Sequence, residues 1–234
     1  MYSGRIVEID AFRGIAIILM IIFHTVFDLA YFYNWTIDYL NGFWYYQGKS
    51  AAVFFMLVSG LSSSLSRNPL RRGLMVMAAG LAVTAITYVF SPTVYIRFGI
   101  LHLLGAGMLL APFLVRLTPL TLTLTGSLLL LSGRFMTPAA VTTCMLIPLG
   151  LPPSDFASLD YYPLIPWLGF IVYGLAAGKL LYPAQRPLWP NIGKGSGINL
   201  LAWLGRRSLF IYLIHQPILL TVLYTIHTFL ILIC

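Results

Sequence analysis

The stretch Arg13-Gly-Ile-Ala-Ile-Ile-Leu-Met-Ile-Ile-Phe-His24 has no polar side chain between its two ends, and Asp28 follows one helical turn later. A helix that is apolar all round lies in a large core or in a membrane. Counted from 13 to 33, the run reaches the ~20 residues needed to cross a bilayer. At about 100° per residue, Arg13 and His24 return to within ~20° of one face, about 16 Å apart along the axis. An arginine at one membrane surface therefore predicts a histidine near mid-bilayer, with Asp28 on the same side. Ionisable groups at that depth are costly and face a protein interior or a water-filled cavity. The stripe Arg13, His24, Asp28 is where the sequence points to chemistry.

The rest of the chain has the same character. Apolar residues make up 59% and charged residues 9%, against roughly 45–50% and about 25% in soluble domains. The runs do not alternate apolar and polar residues as the strands of a membrane β-barrel do. The expected class is an all-α, polytopic helical membrane protein, a single integral-membrane domain over 1–234. Helices are expected at about 13–33, 50–66, 73–90, 97–115, 119–134, 163–182 and 208–231. Loops are expected at 34–49 and, rich in Pro, Gly and basic residues, at 183–207. The stretch 137–151 is apolar but broken by Pro138, Pro148 and Gly150, and reads as a re-entrant or interfacial piece.

Charge sets the count. With the N-terminus in the cytoplasm and 137–151 not crossing, there are about seven transmembrane helices. Arg5, Arg13, Arg67, Arg71, Arg72, Arg116, Lys179, Arg186, Lys194, Arg206 and Arg207 then fall inside, and only Lys49, Arg97 and Arg134 outside. This follows the bias of basic residues toward cytoplasmic loops. The same bias accounts for the net charge of +8 without nucleic acid as a partner. The first span has no small-residue cleavage site behind it and is expected to stay as an uncleaved helix. Cys144 and Cys234 suggest neither a disulfide framework nor a metal site, and no metal is expected.

Among the polar residues, His24 has the chemistry of a base or nucleophile near neutral pH. Asp28 is placed to orient its ring and stabilise its charged form; the bland alternative is an interhelical hydrogen bond. Arg13 is suited to Asp10, one turn back, or to an anionic phosphate, or to setting topology by snorkelling. His102, in Arg97-Phe-Gly-Ile-Leu-His102, and His215, followed by Pro217, are candidates to line a cavity from other helices, or to serve packing. His227 reads as interfacial. Asp160, in Asp160-Tyr-Tyr-Pro-Leu-Ile-Pro-Trp167, is the residue of that aromatic stretch able to contact a polar acceptor. Ser59, Gly60, Ser63 and the Gly174-to-Gly178 pattern read as close helix packing. No nucleotide-binding or nucleophile-elbow motif is present.

These motifs resemble a known family. Arg5-Ile-Val-Glu-Ile-Asp10-Ala-Phe-Arg13-Gly, running on to Phe23-His24 and Asp28-Leu29, is similar to the opening helix of small bacterial membrane proteins related to heparan-α-glucosaminide N-acetyltransferase. Phe98-Gly-Ile-Leu-His102, Asp160 to Trp167, and Leu204-Gly-Arg-Arg-Ser-Leu-Phe-Ile-Tyr-Leu-Ile-His215-Gln-Pro217 resemble further stretches of that group, in the same order. The arginine-to-histidine spacing is also similar to that of membrane acyltransferases that modify bacterial surface sugars, in which those two residues are taken as essential. The resemblance implies transfer of an acyl group, usually acetyl, from cytoplasmic acyl-CoA to a small-molecule or glycan acceptor outside, in the bacterial inner membrane. By that resemblance Arg13 and His24 carry over; the reading of the residues adds Asp28 as catalytic beside His24, with Arg13, His102, Asp160 and His215 as contacts of acetyl-CoA or acceptor. One departure matters. The lysosomal enzyme's catalytic histidine lies beyond the first helix in a Lys-His-Ala-Ser-like stretch, and 34–49 here holds no histidine. Heparan sulfate is not the expected substrate of so short a chain. A proton-coupled transporter and a non-catalytic scaffold are the alternatives. Membrane lipids are expected partners, and a two-fold homodimer is the general expectation for oligomers.

Overall fold

The computed structural model describes residues 6–136, 144–190, 192 and 195–233. It is all-helical: α1 (Val7–Tyr33), α2 (Gly42–Ser64), α3 (Pro69–Phe90), α4 (Ile100–Leu114), α5 (Pro119–Ser132), a 3₁₀ turn (Cys144–Leu149), α6 (Leu164–Leu181), α7 (Ser196–Arg206) and α8 (Ser208–Ile233). Four of these are long and apolar enough to cross a membrane: Val7–Tyr33, Pro69–Phe90, Leu164–Leu181 and Ser208–Ile231. Ile100–Leu114 and Pro119–Ser132 are apolar but shorter. The chain is an integral membrane protein of the polytopic helical class.

Local chemistry sets the ends. α3 and α5 begin with Pro69 and Pro119 at the first helical position, where the missing N–H costs nothing. Thr118 caps α5, accepting from the Thr121 N–H at 3.2 Å. α1 stops at Asn34, whose φ of 53° is left-handed, a conformation asparagine tolerates; the Trp35 N–H then closes on the Leu29 carbonyl at 3.2 Å.

The structure corrects three boundaries, the first being the start of α1, which lies at Val7 rather than near 13. α2 starts at Gly42 rather than near 50, after Asp38 accepts from the Leu40 and Asn41 N–H groups at 3.0 and 2.9 Å. The loop 183–207 contains α7 over nearly its second half. Of the stretch 137–151, residues 137–143 lie outside the described residues, as do Arg5 and Lys194. The six residues Cys144–Leu149 form a 3₁₀ turn, only ~12 Å long at about 2 Å per residue and too short to cross.

Two compact units emerge, one of residues 56–188 and one of 5–55 with 189–234. α2 runs from one into the other. In the 56–188 unit, neighbouring helices touch at glycines. A Cβ at Gly105 would lie 2.9 Å from the Met77 nitrogen, and one at Gly80 would lie 3.2 Å from the His102 ring, so α3 and α4 run antiparallel. α5 and α6 meet where Gly126 and Gly169 face each other's carbonyls, and Ser127 bonds Tyr173 at 2.8 Å. The two small-residue patterns of the sequence prove to be partners: a Cβ at Gly60 would strike the Ile171 carbonyl, and one at Gly178 would strike Ser64 Oγ.

In the other unit α1 is the centre. α2 lies antiparallel to it through Phe12–Phe54, with centroids 6.2 Å apart, and through Gln47 Nε2, which donates to the Leu19 carbonyl at 2.9 Å. α7 lies antiparallel to its first turns, with Gly14 on Leu201 and Gly205 on Asp10 in backbone-to-backbone contact. α8 runs parallel to it: His24, Asp28 and Tyr33 meet His215, Gln216 and His227 in that order.

Candidate active site

The pairing of α1 with α8 assembles the site in the unit of residues 5–55 and 189–234. A helical side chain leans toward the preceding turn, so His24 reaches back and its Nδ1 meets the Met20 carbonyl at 2.9 Å. His215 does the same on α8, its Nδ1 against the Tyr212 carbonyl at 2.5 Å. A carbonyl only accepts, so both rings carry their proton on Nδ1, and in the neutral imidazole Nε2 holds the lone pair. The two rings sit edge to face with centroids 4.8 Å apart. His215 Nε2 is buried with no hydrogen-bond partner among the described residues, and His24 makes no hydrogen bond there besides the one to Met20.

Asp28 is fully buried, at 0% exposure. The expected hydrogen bond from the His24 ring to the Asp28 carboxylate is not formed. Asp28 Oδ1 instead accepts from Gln216 Nε2 at 2.6 Å, because His24 leans away from it toward Met20. Asp28 Oδ2 and Gln216 Oε1 are both buried with no partner among the described residues. Leaving buried polar atoms unpaired costs of order 1–3 kcal/mol each, and here they gather on one helix pair. Gln216 is the residue that sequence reasoning missed. Its signal was its position, between His215 and Pro217, a proline inside α8.

Arg13 lies near the start of α1 with its side chain 11% exposed, and its Nη1 bonds Asp10 Oδ1 at 2.6 Å. Of the alternatives open to it, the structure shows the pair with Asp10. Gly205 packs on the Asp10 backbone, so the exposed Arg206 and Arg207 follow next to that pair. Arg207 stacks on Trp203 at 4.4 Å from the ring centroid.

His102 and Asp160 belong to the 56–188 unit and meet at the N-terminus of α4. Asp160 Oδ2 accepts from the Ile100 N–H at 2.8 Å, and His102 Nδ1 accepts from the Gly99 N–H at 3.2 Å. His102 Nε2 faces Thr84 Oγ1 at 3.3 Å, and that hydroxyl donates to the Ile96 carbonyl at 2.7 Å. The two motifs that carried these residues are thus one joint. Phe98 and Tyr161 form a parallel bridge, and the Tyr162 N–H donates to the Phe98 carbonyl at 3.0 Å. Tyr161 OH ties the same loop to the Ile147 carbonyl at 2.7 Å. Burial pushes that phenol up to about 12, so it stays a donor throughout the neutral range. A carboxylate at a helix N-terminus satisfies orphan N–H groups and the helix dipole. Asp160→Ala is therefore expected to cost about 1–2 kcal/mol of stability, read as a lower thermal unfolding midpoint in detergent, with Asp160→Asn losing less. Equal midpoints for wild type and Asp160→Ala would remove the capping role.

The family profile described as heparan-alpha-glucosaminide N-acetyltransferase, catalytic, matches residues 5–217. No curated protein and no solved structure matches the chain. The matched range takes in α1, both motifs of the α4 joint, and α8 as far as Pro217, which includes every residue of the His24–His215–Asp28–Gln216 group. The chain belongs to the heparan-α-glucosaminide N-acetyltransferase catalytic family and is an acyl-CoA-dependent membrane acyltransferase.

Proposed function

We propose that the chain passes an acetyl group from cytoplasmic acetyl-CoA to a hydroxyl or amine of an extracytoplasmic acceptor such as a sugar, with His24 as general base. The observation that carries this reading is the character of the open atoms. His24 Nε2, His215 Nε2, Asp28 Oδ2 and Gln216 Oε1 are unmatched by any donor among the described residues, and in the neutral-ring form all four accept. A group entering there must bring N–H or O–H donors, as an acceptor amine or hydroxyl does and a thioester does not.

In direct transfer, His24 Nε2 takes the proton of the acceptor as its oxygen or nitrogen bonds to the thioester carbonyl carbon. The carbon–sulfur bond breaks, and the proton returns from His24 to the CoA sulfur. Asp28, one turn along α1, stabilises the imidazolium that forms in between, and His215 holds the ring of His24 from the side. Arg206 and Arg207, with Arg13 beside them, supply positive charge suited to the CoA phosphates. Counting from Asp10, the backbone beside them, His24 is about 21 Å farther along α1, a span that the CoA arm bridges from the surface. His102 and Asp160 enter as positioning residues that set the start of α4.

A cytoplasmic N-terminus and seven crossings fit the same reading. Parallel α1 and α8 require an odd number of crossings if both span, and a 3₁₀ turn at Cys144–Leu149 too short to cross supports that count. The test is to incubate purified full-length protein with radiolabelled acetyl-CoA, beside His24→Ala. Binding by both, with slow CoA release only by wild type, is the expected result. A folded wild-type protein that binds no acetyl-CoA would sink the proposal. Radiolabel retained on denatured wild type and absent from His24→Ala would replace direct transfer by an acyl-histidine step.

A further inference from the structure

The joint between α3 and α4 holds a cation that forms no ion pair among the described residues. Arg97 lies between two rings, its Cζ 4.9 Å from the Tyr95 centroid and 5.2 Å from the Phe156 centroid. Its Nε is buried with no hydrogen-bond partner, and among the described residues no carboxylate pairs with it. Asp160 is turned to the Ile100 N–H, and Asp155, beside Phe156, forms no ion pair with it.

A staple between loops is the simplest use of such a stack, but it leaves the buried Nε without a partner among the described residues. Rings cover the faces of the group, whereas its five N–H donors point outward in its plane. Nearby backbone acceptors are already engaged. The Val94 carbonyl takes the Leu159 N–H at 3.0 Å, Tyr95 takes Ser158 Oγ at 3.1 Å, and Phe98 takes the Tyr162 N–H at 3.0 Å. The rings are themselves braced, Tyr95 by Tyr88 at 5.0 Å and Phe156 by Tyr161 at 4.7 Å. The planar fork of donors of a half-buried arginine matches the two oxygens of a carboxylate or phosphate. Arg67, Arg71, Arg72, Arg116 and Lys179 lie at the opposite ends of their helices in this unit, and Arg134, just past α5, shares the end where Arg97 lies.

We propose that Arg97, held between Tyr95 and Phe156, anchors an oxyanion site for the phosphate or carboxylate group of a polar ligand or lipid headgroup. The site stands independently of acyl transfer, and its test uses no acyl-CoA. Full-length protein in an uncharged detergent is titrated with inorganic phosphate at constant ionic strength by calorimetry, together with Arg97→Gln and Arg97→Lys. Saturable binding is expected, weakened at least about tenfold in Arg97→Gln through loss of charge-assisted hydrogen bonds, and weakened in Arg97→Lys, which keeps the charge but loses the fork. Glycerol 1-phosphate is then titrated into nanodiscs of phosphatidylcholine with or without phosphatidylglycerol. Competition by the lipid identifies a headgroup as the source, and undiminished binding identifies a soluble ligand. Absence of saturable binding by wild type overturns the proposal even if Arg97→Gln does not fold. Equal binding by folded wild type and Arg97→Gln overturns it as well.

Discussion

Replacing His24 with glutamine is expected to slow acetyl transfer by about 10²–10⁴-fold, the usual contribution of a positioned general base, while acetyl-CoA still binds. Glutamine is similar in length and able to hydrogen-bond, but it cannot take up a proton at neutral pH. The ring it replaces is held by the Met20 carbonyl through Nδ1, which leaves Nε2 for the acceptor. His215→Gln is expected to lose less, since it acts on the ring of His24 from 4.8 Å between centroids. If the two imidazoles work as one unit, the double variant falls no further than His24→Gln alone. Steady-state CoA release with a saturating acceptor measures all three. Turnover of His24→Gln within a few-fold of wild type would remove His24 from the chemistry. A His215→Gln loss larger than that of His24→Gln would exchange their roles.

The second large effect concerns folding. Gly205→Val is expected to destabilise the protein by ~3 kcal/mol, the upper part of the overpacking range. A Cβ at Gly205 would run into the Asp10 carbonyl, with the Gly14 nitrogen 3.0 Å away. Both obstacles are backbone, so no side chain can swing aside. Asp10 is also the partner of Arg13, and displacing α7 pulls at that pair. Gly197 lies in the first turn of the same helix, and a Cβ there would meet nothing within 4 Å. Gly197→Ala is therefore expected to be neutral or stabilising by up to about 1 kcal/mol, because alanine gives up less entropy in a helix. Thermal unfolding of the two variants side by side checks the contrast. If both shift alike, the contact of Gly205 with α1 is not what holds α7.

The α1 stripe was legible because it lies within one helix, where covalent spacing sets which side chains share a face. Arg13, His24 and Asp28 could be placed relative to one another from period and rise alone. Their hydrogen bonds could not. His24 takes a carbonyl of its own helix, and Asp28 takes Gln216, which is distant in sequence and becomes a neighbour only once α8 docks parallel to α1. The pairing of His215 with His24 has the same origin. His102 and Asp160 were found as members of separate motifs; the backbone bridge between Phe98 and Tyr161 joins them at the start of α4.

Hydropathy and motif order by themselves determined the membrane class and the family resemblance of this chain, because both are properties of the linear sequence. Hydropathy placed most helices to within a few residues. It missed the first turns of α2, where Trp44, Tyr45, Tyr46, Gln47 and Lys49 break the apolar signal, and it missed α7, which is short and flanked by glycines. Those elements are helical because of what they pack on: Gln47 bonds the Leu19 carbonyl of α1, and Gly205 lies against Asp10. Only the tertiary structure decided which polar atoms remain without partners, since every buried donor and acceptor is matched or left open by neighbours that folding brings together. Asp28 Oδ2, Gln216 Oε1 and His215 Nε2 are left open together at one place in the fold, while Arg97 Nε, Gln47 Oε1 and Ser59 Oγ are left open singly elsewhere.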